Sequence, residues 1–332
     1  MTDRWGITFP LDGLPLPAHR EVLQRAEGWG YTDAWTAEVE GNDAFTPVAL
    51  AATWTTQLRL GTAIANVFTR GPALLAMSVA ATAEVAGDRF CLGIGSSSPA
   101  IIEGWNGMKL HRPLERVRET VAFLRSALSG EKAANESLGV SGFRLSRRFA
   151  PPPPIFIGAL QEKMLALAGS VGDGVILNWL AVDDVPKSVE IVRKAAKDAG
   201  RDPNDVEIAC RIFVLPEADD SIVNFVGRRA AAAYLSTPVY SAFHQWLGRG
   251  EMLQPMLDAW QAGDRKAALE LIPEKLLGEL IITGSRRECV DKLEAYCRAG
   301  VDVPILALLP STPDTAKLGE RNVEMLQALG RG

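Results

Sequence analysis

An α/β protein built as a closed (β/α)8 barrel is the fold class that this sequence predicts, on three observations. Eight short apolar stretches read as strands, helical patterns fall between them, and strands four to eight are apolar throughout instead of alternating with polar residues. Alternating β and α elements imply a parallel sheet, and strands apolar at every position are buried on both faces, as the inner wall of a barrel is. A doubly wound open sheet is the alternative on the same pattern.

In chain order, a strand near residues 4–9 leads to a helix from Pro17 to Gly28, and one near 32–36 to a helix from Pro47 to Thr55. Strands near 58–64 and 89–95 precede helices from Pro72 to Ala86 and from Pro113 to Ser129. Proline opens several of these helices because its fixed φ suits a first turn, and glycine closes several. Residues 130–153 break the rhythm with a polar excursion, Gly130 to Arg148, and the run Pro151 to Pro154, read as a stiff extended connector into a strand near 154–158. A helix from Glu162 to Gly169, a strand near 173–178, a helix from Val185 to Gly200 and a strand near 206–214 follow. Residues 217–278 then form a mostly helical insertion, longer than a usual βα connection, read as a lid or substrate wall, or alternatively as extra core or an oligomer contact. A helix from Ser285 to Gly300 and a strand near 302–308 complete the pattern. No Gly/Ser linker interrupts it, so residues 1–332 are expected to form one domain.

With 332 residues, 47% hydrophobic and 23% charged, the chain is globular and has ample material for a core. A net charge of −5 argues against nucleic acid or an anionic membrane as its main partner, since either calls for a basic face. No apolar run approaches the roughly 20 residues of a membrane span, and Met1 to Arg4 lacks the layout of an export signal, so a cytoplasmic protein is expected. Four cysteines without C-x-x-C spacing and three histidines far apart in sequence make structural zinc and iron–sulfur sites unexpected. Cys91 and Cys210 read as small core residues.

Three strand ends look built to receive a ligand. The third gives way to Gly61-Thr62-Ala63-Ile64-Ala65-Asn66, the fourth to Gly93-Ile94-Gly95-Ser96-Ser97-Ser98, and the fifth to Ile157-Gly158-Ala159-Leu160 directly before a helix that opens at Gln161-Glu162-Lys163-Met164. Small residues let a flat ligand approach the backbone, hydroxyls and free amides supply hydrogen bonds, and carboxyl strand ends are where parallel α/β folds hold ligands. The turn after strand five is a phosphate site, through its amides and the positive helix terminus, or simply close packing. Gly93-Ile94-Gly95 lacks the third glycine and the acidic partner of a dinucleotide fingerprint, and no P-loop, H-E-x-x-H or G-x-S-x-G motif occurs.

Across nearly the whole chain, the blocks Gly61 to Pro72, Gly87 to Ser98, Ile157 to Met164 and Gly172-Asp173-Gly174 resemble the luciferase-like monooxygenase superfamily. Within it they are similar to the branch that uses the deazaflavin coenzyme F420, which includes methylenetetrahydromethanopterin reductase. The resemblance implies a (β/α)8 barrel, usually a homodimer, with hydride transfer to or from a small-molecule substrate. Carried over by position, it implies a non-prolyl cis peptide at Ala63-Ile64 supporting the ring, with Asn66 beside it. It also implies contacts from Ser97 and Ser98, a hold on the phosphate-bearing chain by Gly158, Ala159, Leu160 and Gln161, and a further contact at Asn178. Glu38 stands where sugar-phosphate-oxidising relatives carry a histidine, a departure that favours a reductase-like reaction. A carboxyl there serves as a general acid or base where burial raises its pKa, and otherwise as a hydrogen-bonding loop group. Trp105, Asn106, His111, Arg112, Arg116, Arg211, Tyr234, Tyr240 and His244 are further polar candidates read mainly as structural. Two rival functions share the barrel: an FMN-dependent monooxygenase, and a non-catalytic flavin-binding protein.

Overall fold

In the computed structural model, which describes residues 4–312 and 314–331, eight parallel strands close on themselves. They are β1 (Gly6–Phe9), β2 (Asp33–Thr36), β3 (Arg59–Thr62), β4 (Phe90–Gly95), β5 (Ile155–Gly158), β6 (Gly174–Asn178), β7 (Glu207–Pro216) and β8 (Val303–Leu308). Each pairs with the next, and β8 pairs with β1, Ile305 opposite Gly6. Outside run α1 (His19–Gly28), α2 (Thr46–Trp54), α3 (Pro72–Ala86), α4 (Pro113–Leu128), α5 (Glu162–Val171) and α6 (Val185–Asp198). The expected barrel is therefore the observed one. Among the described residues no helix is long and apolar enough to cross a membrane.

The barrel interior is packed, and glycine makes the packing feasible. A Cβ on Gly61 would stand 2.2 Å from the Trp35 ring, and one on Gly174 2.2 Å from the Phe156 ring. Freed of those methyl groups, Trp35 and Phe156 meet edge to face at 5.4 Å and fill the centre. Below them the amino-terminal mouth is plugged by charge. Asp33, fully buried, accepts from Arg4 at 2.6 Å and from Arg59 at 2.6 Å, and both arginines also reach Glu207. The Arg59 guanidinium lies 5.3 Å from the Trp35 ring and 5.5 Å from that of Phe156. Burial pushes the Cys91 thiol up to about 12, which suits the core role read for it.

The insertion consists of short helices, chiefly α7 (Arg228–Leu235), α8 (Pro238–Trp246), α9 (Gly250–Gln261), α10 (Arg265–Glu270) and α11 (Glu274–Leu280). Its apolar centre is shared with the barrel, since Leu235, Leu253, Met256 and Leu276 cluster with Trp179, Phe213 and Ala307. It ends in a strand that the sequence reading missed, Ile281–Gly284, which pairs with the upper half of β7. There the amide of Glu217 donates to the carbonyl of Gly284 at 2.8 Å, so the two ends of the insertion meet. The chain then forms α12 (Arg286–Arg298), β8 and α13 (Thr315–Leu329).

Two further elements went unread. The polar excursion contains an antiparallel hairpin, Ala133–Asn135 with Val140–Phe143, turned by Asn135, whose Oδ1 accepts from the amide of Leu138 and the hydroxyl of Ser137. The final helix, α13, buries Leu318, Met325, Leu326 and Leu329. It docks where Gly13, at φ +80°, comes so close that a Cβ on it would lie 2.6 Å from the amide nitrogen of Gly319.

His244 on α8 is fully buried, and Arg249 nearby is paired with Asp184 at 2.9 Å. Burial, and then the charge of Arg249, lower its pKa to about 4. The unfolded chain takes up a proton near pH 6.5, which the folded imidazole refuses until about pH 4. This contribution is therefore whole above pH 6.5 and is lost as pH falls, reaching ~3 kcal/mol near pH 4; burial of His19, also lowered, acts in the same direction. In urea unfolding, the wild-type midpoint should fall across that window more steeply than the midpoint of His244→Gln. Parallel curves would refute the assignment.

Candidate active site

The carboxyl mouth is shaped by an interruption in β3. Pairing with β4 runs through Gly61 and Cys91, stops, and resumes one step along where the short strand Ala65–Asn66 meets Ile94 and Gly95. Thr62 bridges the gap with its side chain: its hydroxyl donates to the carbonyl of Gly93 at 2.7 Å and accepts from the amide of Gly93 at 2.9 Å. The next peptide, Ala63-Ile64, is cis. Ile64 lies across the ends of the two neighbouring strands, where a Cβ on Gly95 would stand 3.2 Å from it and one on Gly158 3.1 Å. Ala63 and Ile64 are half-exposed, so three strand ends share one small apolar platform open to the mouth.

Ser97 and Ser98 follow β4, half-buried, Ser97 in the left-handed region at φ 59° and the carbonyl of Ser98 accepting from the amide of Ile102. After β5, the amide of buried Ala159 donates to the carbonyl of Ile176 at 3.1 Å, while Leu160 and Gln161 remain half-buried. Gln161 precedes α5 without a side chain capping its amides. Lys163 is exposed. Asn178, at the end of β6, donates through Nδ2 to the hydroxyl of Tyr240 at 2.7 Å.

Glu38 and Asn66 are tied to each other. The Glu38 carboxylate accepts from both terminal nitrogens of Arg70 at 2.7 and 2.5 Å, from the amide of Ala44 at 3.1 Å, and from the amide and Nδ2 of Asn66, each at 3.3 Å. Asn66 is buried, and its Oδ1 accepts from the amides of Phe68 and Thr69 and the hydroxyl of Thr69. Both side chains are thus spent on organising the turn after β3, and neither offers a free carboxylate or amide oxygen. Arg70, the partner that defines this arrangement, lies inside a recognised block, but nothing in the sequence separates it from a surface arginine. Thr62 likewise carries no sequence signal, because a bridging hydroxyl has meaning only once the strand is broken. Of the other polar candidates, Arg112 is exposed and paired with Glu115, and Arg116 donates to the carbonyl of Val67 at 3.2 Å. Among the described residues no cluster of side chains could hold a metal ion.

The sequence profile of the luciferase-like monooxygenase family matches residues 8–303. A protein of Mycobacterium tuberculosis with a provisional assignment as a coenzyme F420-dependent oxidoreductase is 26% identical, over 91% of this chain and 92% of its own length. The 5,10-methylenetetrahydromethanopterin reductase of Methanolobus tindarius is 34% identical over 62% of this chain and 63% of its own. Among solved structures, the coenzyme F420-dependent tetrahydromethanopterin reductase of Methanopyrus kandleri superposes with a TM-score of 0.76 over 97% of both chains at 23% identity, a likeness of fold.

Proposed function

This chain belongs to the luciferase-like monooxygenase family, and from that premise we propose that it is an F420-dependent oxidoreductase that moves a hydride between the deazaflavin and a small organic substrate. The observation that carries the proposal is the platform of Ile64 across Gly95 and Gly158, flat, apolar and open where three strands end. A planar ring fits such a surface, because glycine keeps the backbone low on both sides of the one side chain beneath it. The names of the relatives favour the deazaflavin over FMN. The bound deazaflavin would supply the two-electron chemistry, while the protein positions the reactants.

In this reading Ala63 and Ile64 support the ring, Ser97 and Ser98 contact it from the β4 loop, and Asn178 faces it from β6. Gly158, Ala159, Leu160 and Gln161 receive the phosphate-bearing chain, aided by the uncapped amides of the first turn of α5. Glu38 acts by position. Its five donors hold the carboxylate in place, and through Asn66 and Arg70 it fixes the turn that presents Ile64. The four free thiols suit a reducing compartment, the cytosol in this reading. A second copy of the chain is the partner we assign to the outer face of α3, where Leu74, Met77 and Val85 stand exposed; light scattering that reports a monomer would remove it.

Fluorescence-quenching titrations with F420 and FMN test the cofactor directly. F420 is expected to bind the wild type and to bind Ile64→Ala about tenfold more weakly, from the apolar surface lost beneath the ring. Tight FMN binding with none for F420 would turn the assignment to a flavin monooxygenase. Binding of either without turnover of any hydride acceptor or donor would favour a flavin-binding barrel without catalysis.

A further inference from the structure

The mouth has a second half, polar where the Ile64 half is apolar. Across from β3, β4 and β5 stand Thr8 on β1, Asn178 on β6 and Arg211 on β7, with Tyr240 of α8 above Asn178. Arg211 sits directly opposite Asn178 in the ladder and two residues after Ala209, which packs in the interior. Its side chain therefore points inward, and Nε donates to the hydroxyl of Thr8 at 3.3 Å across the intervening β8. The guanidinium carbon lies 4.9 Å from the centre of the Phe213 ring, a cation–π contact.

Among the described residues the charge of Arg211 has no carboxylate counter-ion. Arg4 and Arg59 face Asp33, Arg70 faces Glu38 and Arg249 faces Asp184, but among the described residues no carboxylate lies within 4.0 Å of Arg211. A half-buried cation with one hydroxyl as its hydrogen-bond acceptor leaves four N–H groups for a ligand. Next to it the Oδ1 of Asn178 is buried and without a partner. Turning that amide over keeps the 2.7 Å contact, now with Tyr240 donating, and puts an NH2 group where the orphaned oxygen stood. Tyr240 is close enough for the charge of Arg211 to act on its phenol, which burial keeps protonated.

We propose that Arg211, with Thr8, Asn178 and Tyr240, forms an anion-binding subsite for the substrate, and that the substrate class is a small organic carboxylate. Planar, two-toothed recognition of a carboxylate is what a guanidinium held at its Nε end offers. The subsite faces the ring platform across the mouth, so a carboxylate seated there would hold the rest of a small molecule over the ring. This inference deepens the reading of the mouth as an oxidoreductase site and rests on it.

Calorimetric titration of the cofactor-free protein with benzoate, and with the uncharged benzamide, separates the two readings, because neither titration needs F420. Benzoate is expected to bind the wild type and benzamide not. Arg211→Gln should weaken benzoate about tenfold to a hundredfold, the range for hydrogen bonds to a charged group, and Arg211→Lys should retain part of the affinity. Affinity for F420, measured in parallel, should stay within about twofold of wild type in both variants. Absence of benzoate binding, equal binding of benzamide, or benzoate binding indifferent to both substitutions would overturn the proposal. Loss of F420 affinity in Arg211→Gln would overturn it too, giving the cation to the anionic ring of the reduced cofactor. Should Arg211→Gln fail to fold, the Arg211→Lys titrations decide alone, by the same outcomes. Failure of F420 to bind any form would sink the cofactor assignment while leaving the benzoate result readable.

Discussion

Gly93→Ala is expected to cost roughly 3 kcal/mol or more and to remove cofactor binding with it. A Cβ at this position would stand 1.8 Å from the carbonyl oxygen of Thr62 and 2.6 Å from the Ile176 side chain. The isoleucine can rotate away, but the carbonyl cannot, because the Thr62 hydroxyl is bound to both the amide and the carbonyl of Gly93 itself. Relief requires β3 and β4 to separate at the point where the platform begins, so Ile64 would no longer lie across Gly95. Urea unfolding and F420 titration of the same preparation measure both effects. A variant with wild-type stability would show that the strands part at no cost, contrary to this account.

Asp33→Ala is expected to destabilise the barrel by ~3–5 kcal/mol, the usual consequence of removing one partner from a buried ion cluster. The lost carboxylate accepts from Arg4, Arg59 and the hydroxyl of Thr32, so both guanidinium groups would lose their 2.6 Å pairing and Glu207 would have to serve both. Arg59 is mostly buried against the Trp35 and Phe156 rings, so water would replace little of the lost pairing. Affinity for F420 in the protein that remains folded should be near normal, since the cluster sits at the opposite mouth. An unfolding midpoint equal to that of the wild type would contradict the role given to this plug.

Much of the architecture was legible because it rests on local signals. The order of the eight barrel strands follows from apolar runs separated by helical periodicity, and the three strand ends of the platform carry small residues together. The strand at Ile281–Gly284 was not legible: four residues after a helix have no period to show, and their partner, the upper half of β7, is distant in sequence. The polar half of the site was only partly so. Arg211 and Tyr240 read from sequence only as polar residues, and what gives Arg211 its meaning is an inward-facing place at the mouth with no carboxylate near it among the described residues, a combination that exists only in three dimensions. Glu38 shows the converse, since its position was found from resemblance but its engagement by Arg70 and Asn66 required the folded loop.

Because Glu217 and Gly284 are hydrogen-bonded to each other, the chain departs from the barrel and returns to it at a single doorway. The segment between them can then change length or composition while the doorway keeps its width, provided an apolar underside still shelters Trp179 and Phe213. The Ile64 platform is drawn from strands on the other side of the mouth. Selection acting on residues 218–283 could therefore remodel the wall of the mouth while the platform proposed to seat the ring is inherited intact, a division of labour that would let one scaffold serve many substrates.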